Sequence, residues 1–387
     1  MNSQAIYKTS IPNHKRIISN KLISLCNYCL IKQQRSVSIN VDPSNNDKIK
    51  KTVLISTSND IFTNLSLEDW FYRNNDFTNE HMLLFWKNNP CVVIGRHQNP
   101  WLEANCQILD DNGIQLARRN SGGGTVYHDL ENLNLSFFTP KKLYNRRYNL
   151  EIITKALDKY FGIETHVNKR DDIVTNENYK ISGTAAKLGK STAYHHCTLL
   201  GDSDKAKLSL SLKQMDTGIT TNATVSTKSP IKNLRDINPL VNTDSLIDAI
   251  GLEYLSTSST SGSTLNNNFQ MINPNDNNYP GLNELVDEFS SWNWNYGKTP
   301  KFTVNKKIKL SDYFDPVDVE LEVQSGIVID IKLNLPLNVE KKYESLIFNV
   351  VDQLRGSRYS YEFINIIVNE FVGSLDASST SGTCTSR

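Results

Sequence analysis

The first 41 residues contain no acidic side chain. Asp42 is the earliest Asp or Glu, whereas Lys8, Lys15, Arg16, Lys21, Lys32 and Arg35 stand among serines and among Ile17, Ile18, Leu22, Ile23 and Leu25. Basic, serine-containing and free of acid is the composition of a mitochondrial transit peptide. Residues 1–41 are therefore expected to direct the chain to the mitochondrial matrix and to be removed there. Net charge is nearly absent too: 42 Lys+Arg against 41 Asp+Glu leave a formal +1, which lacks the basic footprint of a nucleic-acid partner. No apolar run approaches the roughly 20 residues that span a bilayer, so no membrane partner is expected. Cysteine is sparse. Cys26, Cys29, Cys91, Cys106, Cys197 and Cys384 form one C-x-x-C pair and no second ligand pair, which argues against zinc and for free thiols in a reducing compartment. No protein metal site is expected.

What the chain does have is RRNSGGGTVYHD, residues 118–129. Three successive glycines permit φ > 0 and let a ligand approach the main chain, so their N–H groups can converge on an anion. Arg118 and Arg119 add planar donor forks suited to carboxylate or phosphate. The run follows the strand-like Ile114, Gln115, Leu116 and Ala117 and leads into Thr125, Val126 and Tyr127, so it joins two β-segments. No Gly-Lys-Ser/Thr follows and no helix opens there, which excludes a P-loop.

A chain of 387 residues has room for two domains. The first is expected to begin with a strand at Val53, Leu54, Ile55 and Ser56. A helix follows, N-capped by Ser66, with Leu67, Trp70 and Phe71 on one face. Residues 82–86 and 91–94 read as strands joined by the turn residues Asn88, Asn89 and Pro90. The second strand ends in the polar cluster around Arg96, and a short helix is expected from Trp101 to about Asp111. Leu133, Asn134, Leu135, Ser136 and Phe137 alternate like a half-buried strand, and Ile153, Leu157 and Tyr160 have helical spacing. Next come Lys180, Ser182, Gly183 and the adjacent His195 and His196, which on a strand face opposite ways and so cannot readily share a metal. Residues 256–268 are a low-complexity insert. A second unit, residues 285–373, is read as a small α+β domain with a hairpin turning at Gln324, Ser325 and Gly326. The tail 374–387 is expected to be disordered.

GRHQNPWLEAN (residues 95–105), RRNSGGGTVYHD (118–129) and KISGTA with YHHCTLL (180–200) together resemble the lipoate–protein ligase A and mitochondrial lipoyltransferase family. The resemblance continues through SWNWNYGKTPKF (291–302). It implies an α+β fold: a catalytic domain over 52–280 like that of biotin protein ligases, with a mixed sheet and helices, plus the accessory C-terminal domain. It also implies attack of a lipoate carboxylate on the α-phosphate of ATP, with Mg2+ on the phosphates. Lipoyl then passes from lipoyl-AMP to a lysine of apo lipoyl domains of 2-oxoacid dehydrogenase acyltransferase subunits or of the glycine cleavage H protein. A monomer is expected.

By the same resemblance, Lys180 is the catalytic lysine at the lipoyl carbonyl and phosphate. Arg119, Ser121, Gly122, Gly123, Gly124, Thr125, Val126 and Tyr127 bind ATP or lipoyl-AMP, and Arg96, His128, Asp129, Asp172, Ser182, Gly183, His195 and His196 have supporting roles. Two positions depart from the family pattern. Glu131 replaces a glycine, and Asp171 stands where Asn or an aromatic is commoner. The alternative from another class is a non-catalytic scaffold that binds lipoyl domains.

Overall fold

The computed structural model describes residues 49–213, 216–257, 269–309, 316–334 and 341–380. The expected transit segment and all but Ser256 and Thr257 of the low-complexity insert lie outside the described residues. Along the chain the first elements are β1 (Lys50–Ser56), α1 (Ile61–Asn74), β2 (Glu80–Trp86), β3 (Cys91–Ile94), α2 (Pro100–Glu103), α3 (Cys106–Asp111), β4 (Gln115–Arg118), β5 (Val126–His128) and β6 (Asn132–Pro140). Then come α4 (Arg146–Phe161), β7 (Thr165–Val167), β8 (Ile173–Thr175), β9 (Lys180–Ser182), β10 (Thr184–Leu188), β11 (Thr192–Leu200), α5 (Lys205–Ser211), β12 (Ile219–Thr221), α6 (Thr243–Ser256) and β13 (Phe269–Ile272). The last are α7 (Leu282–Ser290), α8 (Trp292–Asn295), β14 (Phe302–Ile308), β15 (Val317–Gln324), β16 (Ile327–Asn334), α9 (Lys341–Leu354) and α10 (Phe363–Thr380).

A mixed six-stranded sheet in the order β10-β11-β6-β2-β1-β13 forms the centre. β6 lies antiparallel to both β11 and β2, while β1 runs parallel to β2 and β13. Alternation along β6 sends Leu133, Leu135 and Phe137 to one face, where Leu150, Ile153 and Leu157 of α4 and Leu246 and Ile250 of α6 cover them. The other face packs Leu84, Trp86, Phe138 and Tyr194 against Leu65 and Phe71 of α1 and Leu282 and Phe289 of α7. Asn132, Asn134 and Ser136 are buried as well. β6 is thus covered on both faces rather than half-buried, because its polar positions look into a site and not into water.

Local readings change in three places. The α1 N-cap is Asp60, whose side chain accepts from Thr63 N–H, and Ser66 is buried inside the helix. The turn around Asn88 carries the chain between sheets, since β3 pairs with β4 and β5 and not with β2. The single helix expected over 101–111 is two, because Asn105 opens a new cap by accepting from Ile108 N–H.

The second sheet has the order β12-β14-β15-β16. Its hairpin turns at Ser325 (φ 53°) and Gly326 (φ 72°), the left-handed pair that a two-residue turn requires. Phe302, Val304, Leu321 and Val323 pack with Phe363, Ile367 and Phe371 of α10 and with Trp101. Helix α10 continues to Thr380, so the tail read as disordered from Ser374 is helical that far. Once its first turns are anchored by buried apolar residues, each added turn of a helix needs little further stabilisation.

Candidate functional site

Burial and hydrogen bonding concentrate on the glycine loop between β4 and β5. Gly95 and Gly123 bring two main chains into contact: a Cβ on Gly95 would meet Gly123 O at 2.2 Å, and Gly123 itself has φ 91°. The Arg119 guanidinium lies beneath. It donates to Gly122 O (2.6 Å), Gly124 O (2.7 Å), Val93 O (3.2 Å) and Ser121 Oγ (3.1 Å). Burial pushes its pKa down to about 10, so it stays charged at neutral pH. With these carbonyls drawn inward, the N–H groups of Gly122, Gly123 and Gly124 meet no protein acceptor among the described residues.

A buried relay supports that loop. Glu68 Oε1 lies 2.9 Å from His196 Nδ1, and His196 Nε2 lies 2.9 Å from Ser121 Oγ. Ser136 Oγ also donates to Glu68 (2.5 Å) and accepts from Trp86 Nε1 (3.0 Å). His195, on the opposite face of β11, is held by Asn149 (3.3 Å) and Thr184, and burial keeps its pKa well below the usual histidine range.

Lys180 opens β9. Its Nζ is 2.8 Å from Asp172 Oδ1, and Arg170 Nε is 3.6 Å from Asp172 Oδ2. A Cβ on Gly183 would stand 3.5 Å from Lys180 Nζ, so the missing side chain keeps the ammonium accessible. Lys180 lies at a junction of two cavities. The first, about 320 Å³, is lined by Leu65, Trp86, Val93, Val126 and Ala185 and by Arg119, Gly123, Gly124, His128 and His196. The second, about 760 Å³, is lined by Tyr127, Asn132, Ser182, Leu200, Leu208 and Leu212. Lys180, Thr125, Val126, Gly183, Thr198 and Ser226 belong to both walls.

The network fixes the tautomer of His128. Asn64 Nδ2 faces Ser58 O (2.9 Å), Lys87 O (3.0 Å) and Asn88 Oδ1 (2.9 Å). Asn88 therefore turns its NH2 toward His128 Nδ1, at 2.9 Å. Nδ1 accepts, and in the neutral ring the proton sits on Nε2. Burial, then the Arg119 charge, push this histidine's pKa down to about 3. Its Nε2–H is buried in the wall of the first cavity and has no partner among the described residues.

Residues 60–254 match the family described as the lipoyl protein ligase A/B catalytic domain. The chain belongs to that family. It is 41% identical over 323 residues to a mitochondrial lipoyl amidotransferase of Homo sapiens, covering 81% of this chain and 84% of the human one. Among solved structures it is similar to P. falciparum LipL1 in complex with lipoate (27% identity, TM-score 0.55, 82% of this chain and 93% of that one). It is also similar to a lipoate-protein ligase A bound with ATP (25% identity, TM-score 0.52, 64% of this chain and 98% of that one).

In this lipoyl ligase family member, the residues singled out in the sequence divide by position. Arg119, Gly123, Gly124, Thr125, Val126, Tyr127, His128, Asp172, Lys180, Ser182, Gly183 and His196 line one cavity or both. Ser121 acts one bond further back, on His196. Gly122 offers its carbonyl to Arg119. Arg96 stacks its guanidinium 4.4 Å from the Trp294 ring and donates to Asn120 Oδ1 (3.2 Å). Asp129 binds Glu131 N–H (3.1 Å) and Asp204 N–H (2.8 Å), fixing a turn. Sequence reasoning missed Glu68, Glu103 and Ser226. The departures at Glu131 and Asp171 also separate. Glu131 is not among the positive-φ residues and lines neither cavity, so no left-handed penalty arises there. Asp171 does have φ 59° and pairs with Arg146 at 3.4 Å.

Proposed function

We propose that this chain attaches lipoyl groups to lysines of apo lipoyl domains through lipoyl-AMP, with Lys180 at the reacting junction. The observation that carries this reading is that Lys180 belongs to the walls of both cavities, a smaller one in which Leu65, Trp86, Val93 and Ala185 stand beside Arg119, Arg146 and Arg170, and a larger one beside it. Cavities of about 300–1,000 Å³ are the usual size for small ligands. In this reading the first takes the aliphatic lipoyl chain and the second takes the nucleotide.

A lipoate carboxylate oxygen attacks the α-phosphorus of ATP and pyrophosphate leaves. The acceptor amine, having lost a proton, then attacks the acyl carbon and AMP leaves. Carboxylate and triphosphate repel, so the first step needs fixed positive potential. Lys180 and the free amides of Gly123 and Gly124 supply it, whereas Arg119 acts by shaping the loop that presents those amides. Mg2+ bound to the triphosphate would offset part of its charge. Asn132 Oδ1, buried beside the second cavity and without a partner among the described residues, is an oxygen that would hold it or a water in its shell.

The acceptors proposed are acyltransferase lipoyl domains of 2-oxoacid dehydrogenases and the glycine cleavage H protein, in the mitochondrial matrix, with the enzyme a monomer. Residues 52–280 are taken as the catalytic unit and 285–373 as the accessory one, although Phe289 and Trp294 near the start of the latter pack into the core of the central sheet. The identity to a protein named as an amidotransferase favours a second reading, in which the lipoyl donor is itself a lipoylated protein.

A mass-shift assay on an apo lipoyl domain separates these readings. It compares lipoate plus ATP·Mg2+, synthetic lipoyl-AMP, and lipoylated H protein as donors. Lys180→Ala is expected to lower transfer from lipoyl-AMP on the order of 10²–10³-fold with the fold intact. Near wild-type lipoylation by that variant would remove Lys180 from the chemistry. No mass shift with any donor would favour the scaffold instead. A reporter carrying residues 1–41 should enter mitochondria, and cytosolic fluorescence would count against the targeting assignment.

A further inference from the structure

One segment crosses both cavities. It begins as β12, paired to β14 at the edge of the accessory sheet. It then passes over the glycine loop, where Thr224 N–H donates to His97 O (3.2 Å). It ends beside β9, where Lys180 N–H donates to Pro230 O (2.8 Å) and Lys232 N–H to Lys180 O (3.1 Å). Thr224 and Val225 line the first cavity, and Lys228, Pro230 and Ile231 the second. Most side chains between its two ends are exposed.

The strap is fastened at Ser226. That hydroxyl accepts from Thr125 N–H (2.8 Å) and from Gln98 Nε2 (3.0 Å) and donates to Glu103 Oε2. Ser226 N–H donates to Glu103 Oε1 at 3.1 Å. Thr125 Oγ1 is 3.2 Å from Glu103 Oε2. Glu103 therefore takes both a backbone and a side-chain proton from the strap, and since the Thr125 hydroxyl has a nearer acceptor in Gln98 Oε1 (2.8 Å), it reaches the glycine loop through Ser226 Oγ, which accepts Thr125 N–H. It is only 4% exposed, and hydrogen bonds to a buried charged group are stronger than neutral ones. The fit is close: a Cβ on Gly124 would meet Ser226 Oγ at 3.1 Å.

We propose that Glu103 is a positioning residue that latches the 222–232 strap over the glycine loop, closing both cavities on the acyl adenylate and acting through Ser226 and Thr125. This rests on the adenylate reading above. Glu103 stands in the wall of the second cavity, but both its carboxylate oxygens are taken by Ser226, so in this proposal its loss falls on retention of the adenylate more than on the transfer rate from bound adenylate.

The test uses the full chain and synthetic lipoyl-AMP, comparing wild type, Glu103→Ala, Ser226→Ala, their double variant and Glu103→Gln. Lipoyl-AMP Kd and koff are expected to rise on the order of tenfold or more in each alanine variant. The double variant should be no worse than the worse single one, because both remove the same latch. Amide exchange over 222–232 without ligand should quicken in all three alanine variants, and Glu103→Gln should recover part of the affinity by keeping one acceptor oxygen. The latch is overturned if wild type binds lipoyl-AMP and Glu103→Ala binds within twofold, if the single losses add, or if strap exchange is unchanged. Should Glu103→Ala fail to fold, Glu103→Gln and Ser226→Ala decide by the same readouts. A wild type that does not bind lipoyl-AMP instead overturns the adenylate reading, and with it the ligand assigned to the latch.

Discussion

His128 is neutral in the folded chain because burial and the nearby Arg119 charge both oppose an imidazolium. In the unfolded chain its pKa returns to about 6.5, so between pH 6.5 and about 3 the unfolded state binds the extra proton. Stability contributed here is therefore full above pH 6.5 and is lost as pH falls. One such group gives up about 1.4 kcal/mol per pH unit. His128→Gln, whose carbonyl can accept from Asn88, should thus lose about 2 kcal/mol less than wild type between pH 6.5 and 4.5 in urea unfolding. Parallel stability–pH curves would show that His128 is protonated in the fold. Residue-scale legibility was uneven. KISG and the glycine run led to Lys180 and its loop, and alternation put His195 and His196 on opposite faces. Glu68 left no such trace: a carboxylate inside an amphipathic helix reads as solvent-facing, and only the fold turns it toward His196. Adjacency likewise could not say which of Arg118 and Arg119 belongs to the loop.

Elements show where sequence patterning carries and where it stops. The 325–326 hairpin was legible because the turn needs φ > 0, and the β6 alternation was legible as a strand. Its polar positions read as solvent-facing because a period of two cannot distinguish water from a polar cavity. The strap carries no periodicity, so neither Ser226 nor its acceptor Glu103 stood out. The glycine loop itself gives a graded prediction. Gly122→Ala meets nothing within 4 Å and has no positive φ, so its Tm should stay within about 2 °C of wild type, as for most surface substitutions. Gly123→Ala combines φ 91° with a Cβ 2.9 Å from Arg119 Nη2, and should destabilise by about 1–3 kcal/mol. Gly95→Ala, 2.2 Å from Gly123 O, must push two main chains apart and should be at least as harmful. Equal Tm values for the three would mean that the loop is not held as described.

At the scale of the whole molecule, Arg118 joins what the sequence separates by more than 170 positions. It is fully buried, and among the described residues no carboxylate is one of its hydrogen-bond partners. It donates to Gln98 O (2.8 Å), Arg96 O (3.1 Å), Trp294 O (3.1 Å), Asn295 O (2.7 Å) and Thr299 Oγ1 (2.9 Å), while its own main chain binds Asn295 Oδ1 (2.7 Å) and Trp294 Nε1 (2.7 Å). Burial, then the neighbouring Arg96, lower its pKa to about 9, so the charge persists at neutral pH and is solvated by carbonyl dipoles. One side chain thus ties the turn leading to Trp101, the strand feeding the glycine loop and the segment entering the accessory sheet. Arg118→Met keeps the length but leaves several buried carbonyls without donors, at about 1–3 kcal/mol each before relaxation. A total loss of at least about 3 kcal/mol is expected. Arg96→Met removes the same formal charge from a partly exposed ring contact and should cost less than about 1 kcal/mol. Urea unfolding followed by tryptophan fluorescence compares the pair, since Trp101 and Trp294 both report on the joint. If the two variants unfold within 1 kcal/mol of each other, Arg118 is not what holds the accessory sheet against the catalytic body.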